Sequence, residues 1–126
     1  MTVKVLLADP DPVTATMYEL GLEHSGFDVE KVHNASELFE AAGHGERAIV
    51  MEWEKLGLAG PEVLEHLRSE GALEDVPVLV LTNQDGDLEH LTQEAVEAGA
   101  DRWLVKVNTT PAALAENVLD VLSEAA

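Results

Sequence analysis

The side chains able to do chemistry stand at four separated points of this chain: Asp9 and Asp11 flanking Pro10, Glu52, Thr82 followed by Asn83, and Lys106. Between them they supply carboxylates, a hydroxyl, an amide and an ammonium. Carboxylates of this kind hold a divalent cation or act as oxygen nucleophiles, and an ammonium neutralises an anionic group beside it. The chain has no cysteine, which removes disulfides, thiolate metal sites and cysteine nucleophiles together. Its five histidines are scattered; His66 follows Glu62 by four residues, but no second histidine stands at ligand spacing on that helix. The patterns G-x-S-x-G, G-x-x-x-x-G-K-[ST] and G-x-G-x-x-G are absent, so hydrolase, NTPase and dinucleotide readings have no support.

The elements that must position these residues follow from hydrophobic patterning. Val3 to Ala8 is a nearly continuous apolar run, the mark of a strand buried on both faces, and it ends at Asp9. Pro12 suits the first turn of a helix with Asp11 as its cap, and Val13, Met17, Leu20 and His24 recur at helical spacing as far as Ser25 and Gly26. The unit repeats. Strands are expected over 27–32, 47–52, 76–82 and 101–105, with helices over 36–42, 61–70, 88–98 and from Pro111, capped by Thr110, to Glu124. Five strand–helix units demand a doubly wound five-stranded parallel sheet with helices on both faces, an α/β fold. In such sheets ligands sit beyond the carboxyl ends of the strands, and those ends are where the four groups above fall.

The 126 residues suffice for one domain, so a single unit over 1–126 is expected. No apolar run approaches the roughly 18 residues of a membrane span, and the N-terminus lacks a secretory signal, which points to a cytoplasmic protein with no membrane partner. Twenty-five acids against seven bases give a net charge of −18, which repels phosphate backbones and argues against direct nucleic-acid binding.

The order and spacing of ADPDP after the first strand, an acid eight residues before Gly60, VPVLVLTN ending in Thr82, and GADRWLVK ending in Lys106 resemble the receiver domain of bacterial two-component response regulators. The resemblance covers essentially the whole chain and implies a flavodoxin-like (βα)5 fold. In that family an aspartate ending the third strand accepts a phosphoryl group, held by a magnesium ion bound to acids after the first strand. A threonine hydroxyl senses the group and a lysine binds it. These roles carry over to Glu52 as the phosphoacceptor position, to Asp9 and Asp11 as acids, to Thr82 as the switch hydroxyl, and to Lys106 as the lysine. Trp103 falls on the position of an aromatic that rotates with the signalling state.

The departures from the family pattern define a pseudo-receiver. Glu52 is one methylene longer than aspartate, and a misplacement on the order of 1 Å can cost roughly a hundredfold in rate. Pro10 stands where the direct metal ligand belongs, and Asp11 is committed to capping, so no metal or other cofactor is expected. Glu52 and Lys106 are expected to form an ion pair that fills the phosphate position. Asn83 is expected to crowd the pocket, and Val107, in place of the family's proline, to follow a trans peptide bond. The last helix carries no lysine or arginine, so the charge-crossed receiver dimer is not expected. The function expected is a signalling module that works by contact with a histidine kinase or downstream effector, independently of phosphorylation. The alternative is an active receiver that accepts a phosphoryl group from a kinase or small donor with magnesium; an unrelated small doubly wound domain is a third reading.

Overall fold

An apolar run such as VKVLLA has no polar face to turn to water, so it must be covered from both sides. The computed structural model describes residues 2–83 and 88–125 and solves that requirement with one sheet between two helical layers. The strands are β1 (Val3–Ala8), β2 (Phe27–Val32), β3 (Ala48–Glu52), β4 (Val78–Thr82) and β5 (Arg102–Val105). All pair in parallel in the order β2-β1-β3-β4-β5. The helices are α1 (Pro12–His24), α2 (Ala35–Ala41), α3 (Gly60–Ser69), α4 (Leu88–Ala98) and α5 (Pro111–Ala125). Two single 3-10 turns, Gly71–Leu73 and Lys106–Asn108, were not foreseen from sequence.

Alternation along each strand sorts the core into two halves. Leu6, Ala8, Ile49, Met51, Val78 and Val80 face one layer with Leu38, Val63, Leu64 and Leu67. Val5, Leu7, Val50, Leu79 and Leu81 face the other with Tyr18, Leu22, Leu114 and Val118. The apolar residues Leu114, Val118 and Val121 of α5 are therefore core, as their spacing implies, with Leu122 packed partly buried against them. Those of α1 are not: Val13, Met17 and Leu20 are exposed, and the helix buries Ala15, Tyr18 and Leu22 instead.

Gly21 explains how closely α1 and α5 pack, because a Cβ there would lie 2.4 Å from the Cβ of Pro111. Tyr18 fastens the same corner by donating its hydroxyl to the carbonyl of Thr109 at 2.8 Å. That hydroxyl is pushed above its ordinary pKa, first by burial and then by the Asp9 charge. The strand order reverses between β1 and β3, so their carboxyl ends splay apart and leave a crevice.

Candidate functional site

The crevice brings together Asp9, Asp11, Glu52, Asn83 and Lys106, with Thr82 buried beside them at the end of β4. Asp9 follows β1 and is fully buried. Its Oδ1 accepts the Asp11 amide at 2.9 Å, and its Oδ2 faces Lys106 Nζ at 2.8 Å, an ion pair without the alignment of a full hydrogen bond. A carboxylate so deeply desolvated needs such a counter-charge. The expected Glu52–Lys106 pair is thus corrected: the lysine pairs with Asp9, whose Oδ2 has no hydrogen-bond donor among the described residues, while both Glu52 oxygens are taken.

Glu52 ends β3 and is buried. Its Oε2 accepts the Lys55 amide at 2.6 Å in the turn that leaves the strand, and its Oε1 accepts Asn83 Nδ2 at 2.8 Å. Burial pushes this carboxyl above the usual glutamate range; the Lys55 amide opposes the shift, the neighbouring Glu54 carboxylate adds to it, and the Lys106 charge lowers it. Asn83 lines the cavity, and its side chain enters the site as a donor to Glu52.

Asp11 behaves as the cap that the sequence predicts. Its Oδ1 accepts the Val13 amide at 3.1 Å and its Oδ2 accepts the Thr14 hydroxyl at 2.6 Å, and these bonds, the hydroxyl's first, hold its carboxyl below the usual range. The Lys106–Val107 bond is trans, and Val107 is exposed. A cavity of about 340 Å³ opens over these residues, bordered also by Pro10, Thr14, Met17, Lys55 and Val107.

Thr82 is fully buried at the end of β4 and donates its hydroxyl to Glu54 Oε2, while the next amide, of Asn83, donates to Glu54 Oε1 at 2.8 Å. Glu54 was missed from sequence. The signal for it was a second acid two residues after Glu52, just past the end of the third strand. Trp103, on β5, packs inward and meets Trp53 edge to face with ring centroids 5.6 Å apart. Its indole N–H is buried with no hydrogen-bond partner among the described residues. Trp53 in turn lies on Gly60, where a Cβ would sit 2.3 Å from its ring.

The response regulator receiver domain family model matches residues 5–118. Response regulator MprA of Mycobacterium ulcerans is 35% identical over 107 residues, which cover 84% of this chain and 44% of that protein. The chain therefore spans less than half the length of such relatives. A chemotaxis protein CheY homolog of Campylobacter jejuni is 27% identical over 95% of this chain and 92% of its own. Among solved structures, chemotaxis response regulator CheY4 of Vibrio cholerae superposes with a TM-score of 0.86 at 24% identity, covering 96% of this chain and 99% of its own. A putative response regulator from Chloroflexus aurantiacus reaches the same TM-score at 26% identity over 98% of this chain and 99% of its own. Three parallel lines, the sheet order, the strand-end acids with their lysine, and the match over nearly the full length, lead to one assignment: the chain belongs to the response regulator receiver domain family.

Proposed function

We propose that this receiver domain signals by protein contact without being phosphorylated and without a bound magnesium ion. The observation that carries the reading is that every carboxylate oxygen of Asp9, Asp11 and Glu52 already has a partner within the chain. A hard divalent cation needs oxygens free to turn toward it, and Pro10 supplies none. An attacking carboxylate likewise needs an oxygen free and negatively charged, whereas Glu52 is tied at both oxygens and pushed toward its neutral form. The residues do not fit the ion.

The partner is a signalling protein, a histidine kinase or an effector, met as a cytoplasmic encounter. Neither nucleic acid nor membrane suits a surface of net charge −18, and among the described residues no helix is long and apolar enough to cross a membrane. A charge-crossed dimer is disfavoured as well, because Arg68 and Arg102 are held by Asp101 and Glu124 of the same chain.

The test is incubation of the purified domain with acetyl phosphate and magnesium, followed by intact mass. An unchanged mass, with Trp53 fluorescence unmoved by magnesium and beryllium fluoride, is the expected result. A phosphoryl adduct on Glu52, Asp9 or Asp11 overturns the proposal in favour of the active receiver.

A further inference from the structure

Glu54 lies two residues beyond Glu52, yet its carboxylate turns to the end of β4, where the Thr82 hydroxyl and the Asn83 amide both donate to it. The hydroxyl is buried at a strand end, and the amide is the next donor along the backbone. Two such donors side by side make a cradle for two oxygens of one anion, and the oxygens of a carboxylate are spaced much as two oxygens of a phosphoryl group are. Holding an acid there is unfavourable on its own account. Glu54 stands close enough to Glu52 to raise that carboxyl's pKa, in a chain already strongly acidic. Asn83 resolves the conflict by donating its side chain to Glu52 and its backbone amide to Glu54.

We propose that Thr82 Oγ1 and the Asn83 amide form an oxyanion site that the chain's own Glu54 occupies, making this carboxylate the internal ligand that fixes the end of β4. A tethered ligand acts at a local concentration on the order of millimolar or more, so external anions are excluded while Glu54 is present. Glu54, rather than Glu52, is then the residue that stands in for an added acidic group. This deepens the phosphorylation-independent reading and rests on it for its signalling consequence.

The effect reaches β5, because β4 pairs with it in the register Val80 to Trp103 and Thr82 to Val105. Trp53 sits between Glu52 and Glu54 in sequence and touches Trp103. The Asn83 amide and the Trp103 indole N–H are therefore the reporters.

The experiment is a two-dimensional amide NMR titration of wild type, Glu54→Ala and Glu54→Gln with sodium acetate, with sodium chloride as the ionic-strength control. Removing the carboxylate is expected to move the Asn83 amide proton upfield. Acetate is expected to return it saturably toward the wild-type position in Glu54→Ala, chloride is not, and wild type is expected not to respond. Glu54→Gln, which keeps the shape but only one acceptor oxygen, is expected to show an intermediate position, and Thr82→Val in the Glu54→Ala background to abolish the acetate response. An Asn83 amide unmoved by Glu54→Ala, or an acetate response equal in wild type and variant, overturns the proposal. Failure of the functional reading is recognised separately, as a phosphoryl adduct on the wild-type chain by intact mass.

Discussion

Replacing Lys106 by methionine removes the counter-charge of Asp9 and leaves a fully buried carboxylate with a single backbone donor. Breaking one partner of a buried pair costs about 3–5 kcal/mol, and the surviving Asp11 amide places the cost near the lower end, about 3 kcal/mol. With a urea slope of about 2 kcal/mol/M for a domain of this size, the midpoint is expected to fall by about 1.5 M. Restoring neutrality on the other side reverses most of this: Asp9→Asn in the Lys106→Met background is expected to recover at least half of the loss, a coupling of about 1.5 kcal/mol or more. The parallel cycle with Glu52→Gln is expected to give a coupling several-fold smaller, because Glu52 is satisfied by Lys55 and Asn83. The assay is equilibrium urea unfolding of all four members of each cycle, followed by far-UV circular dichroism and tryptophan emission. A Glu52–Lys106 coupling larger than the Asp9–Lys106 coupling refutes the assignment of Lys106 to Asp9 and restores the pair read from sequence.

Three further outcomes follow from the same geometry. The raised Glu52 carboxyl means the native state holds this proton more tightly than the unfolded chain; the stability it confers is full below the ordinary glutamate range and is lost as pH rises through the raised folded value. Glu52→Gln is expected to gain on wild type as pH climbs from about 4 to 7, with the Asn83 amide turned to accept, and thermal unfolding across that range checks it. Gly60→Ala drives a methyl against the Trp53 ring and is expected to cost about 1–3 kcal/mol in urea unfolding, with a red shift of tryptophan emission. Leu20→Gln is expected to change stability by less than about 0.5 kcal/mol, since that side chain is exposed; a loss above about 2 kcal/mol would return Leu20 to the core.

Strand positions were legible because a two-sided sheet leaves no freedom: VKVLLA and VPVLVLT are almost wholly apolar, and β1 begins and ends where its apolar run does, while the edge strand β2 is legible instead from alternation, Phe27 and Val32 buried and Asp28 and Glu30 exposed. The fourth strand starts at Val78 rather than Val76: the Val76 carbonyl accepts from Arg68 at 2.6 Å, and Pro77 has no N–H to give a sheet ladder. The face of α1 was not legible. Val13, Met17 and Leu20 make one helical stripe and Ala15, Tyr18 and Leu22 make another, and the first is the more apolar. The choice is made by α5, which a small Gly21 admits closely on the second stripe, and by the polar tip of Tyr18, which has a carbonyl waiting at Thr109. Such a contact is 91 residues apart in sequence, and no local period encodes it.

The site was legible in membership and not in pairing, and the reason is competition among donors. Each acid at the crevice takes the nearest backbone donor that its strand end or turn offers: Asp11 takes Val13, Glu52 takes Lys55, and Asp9 takes Asp11. Only after those local bonds are made does the remaining demand fall on distant groups. Asp9 and Glu52 are both fully buried with one oxygen left to satisfy: that of Asp9 faces Lys106 and that of Glu52 takes the neutral Asn83 amide, while Glu54, more open, takes the hydroxyl and backbone amide at the end of β4. Sequence spacing names the participants, since strand ends are where polar residues interrupt apolar runs. The partner of each depends on which donor the neighbouring strand ends bring within reach, and that is a property of the assembled sheet. Pro10 bears on this pairing as well: it brings no side-chain oxygen into the crevice, so the lysine at the end of β5 has one buried carboxylate after β1 to neutralise and is held there.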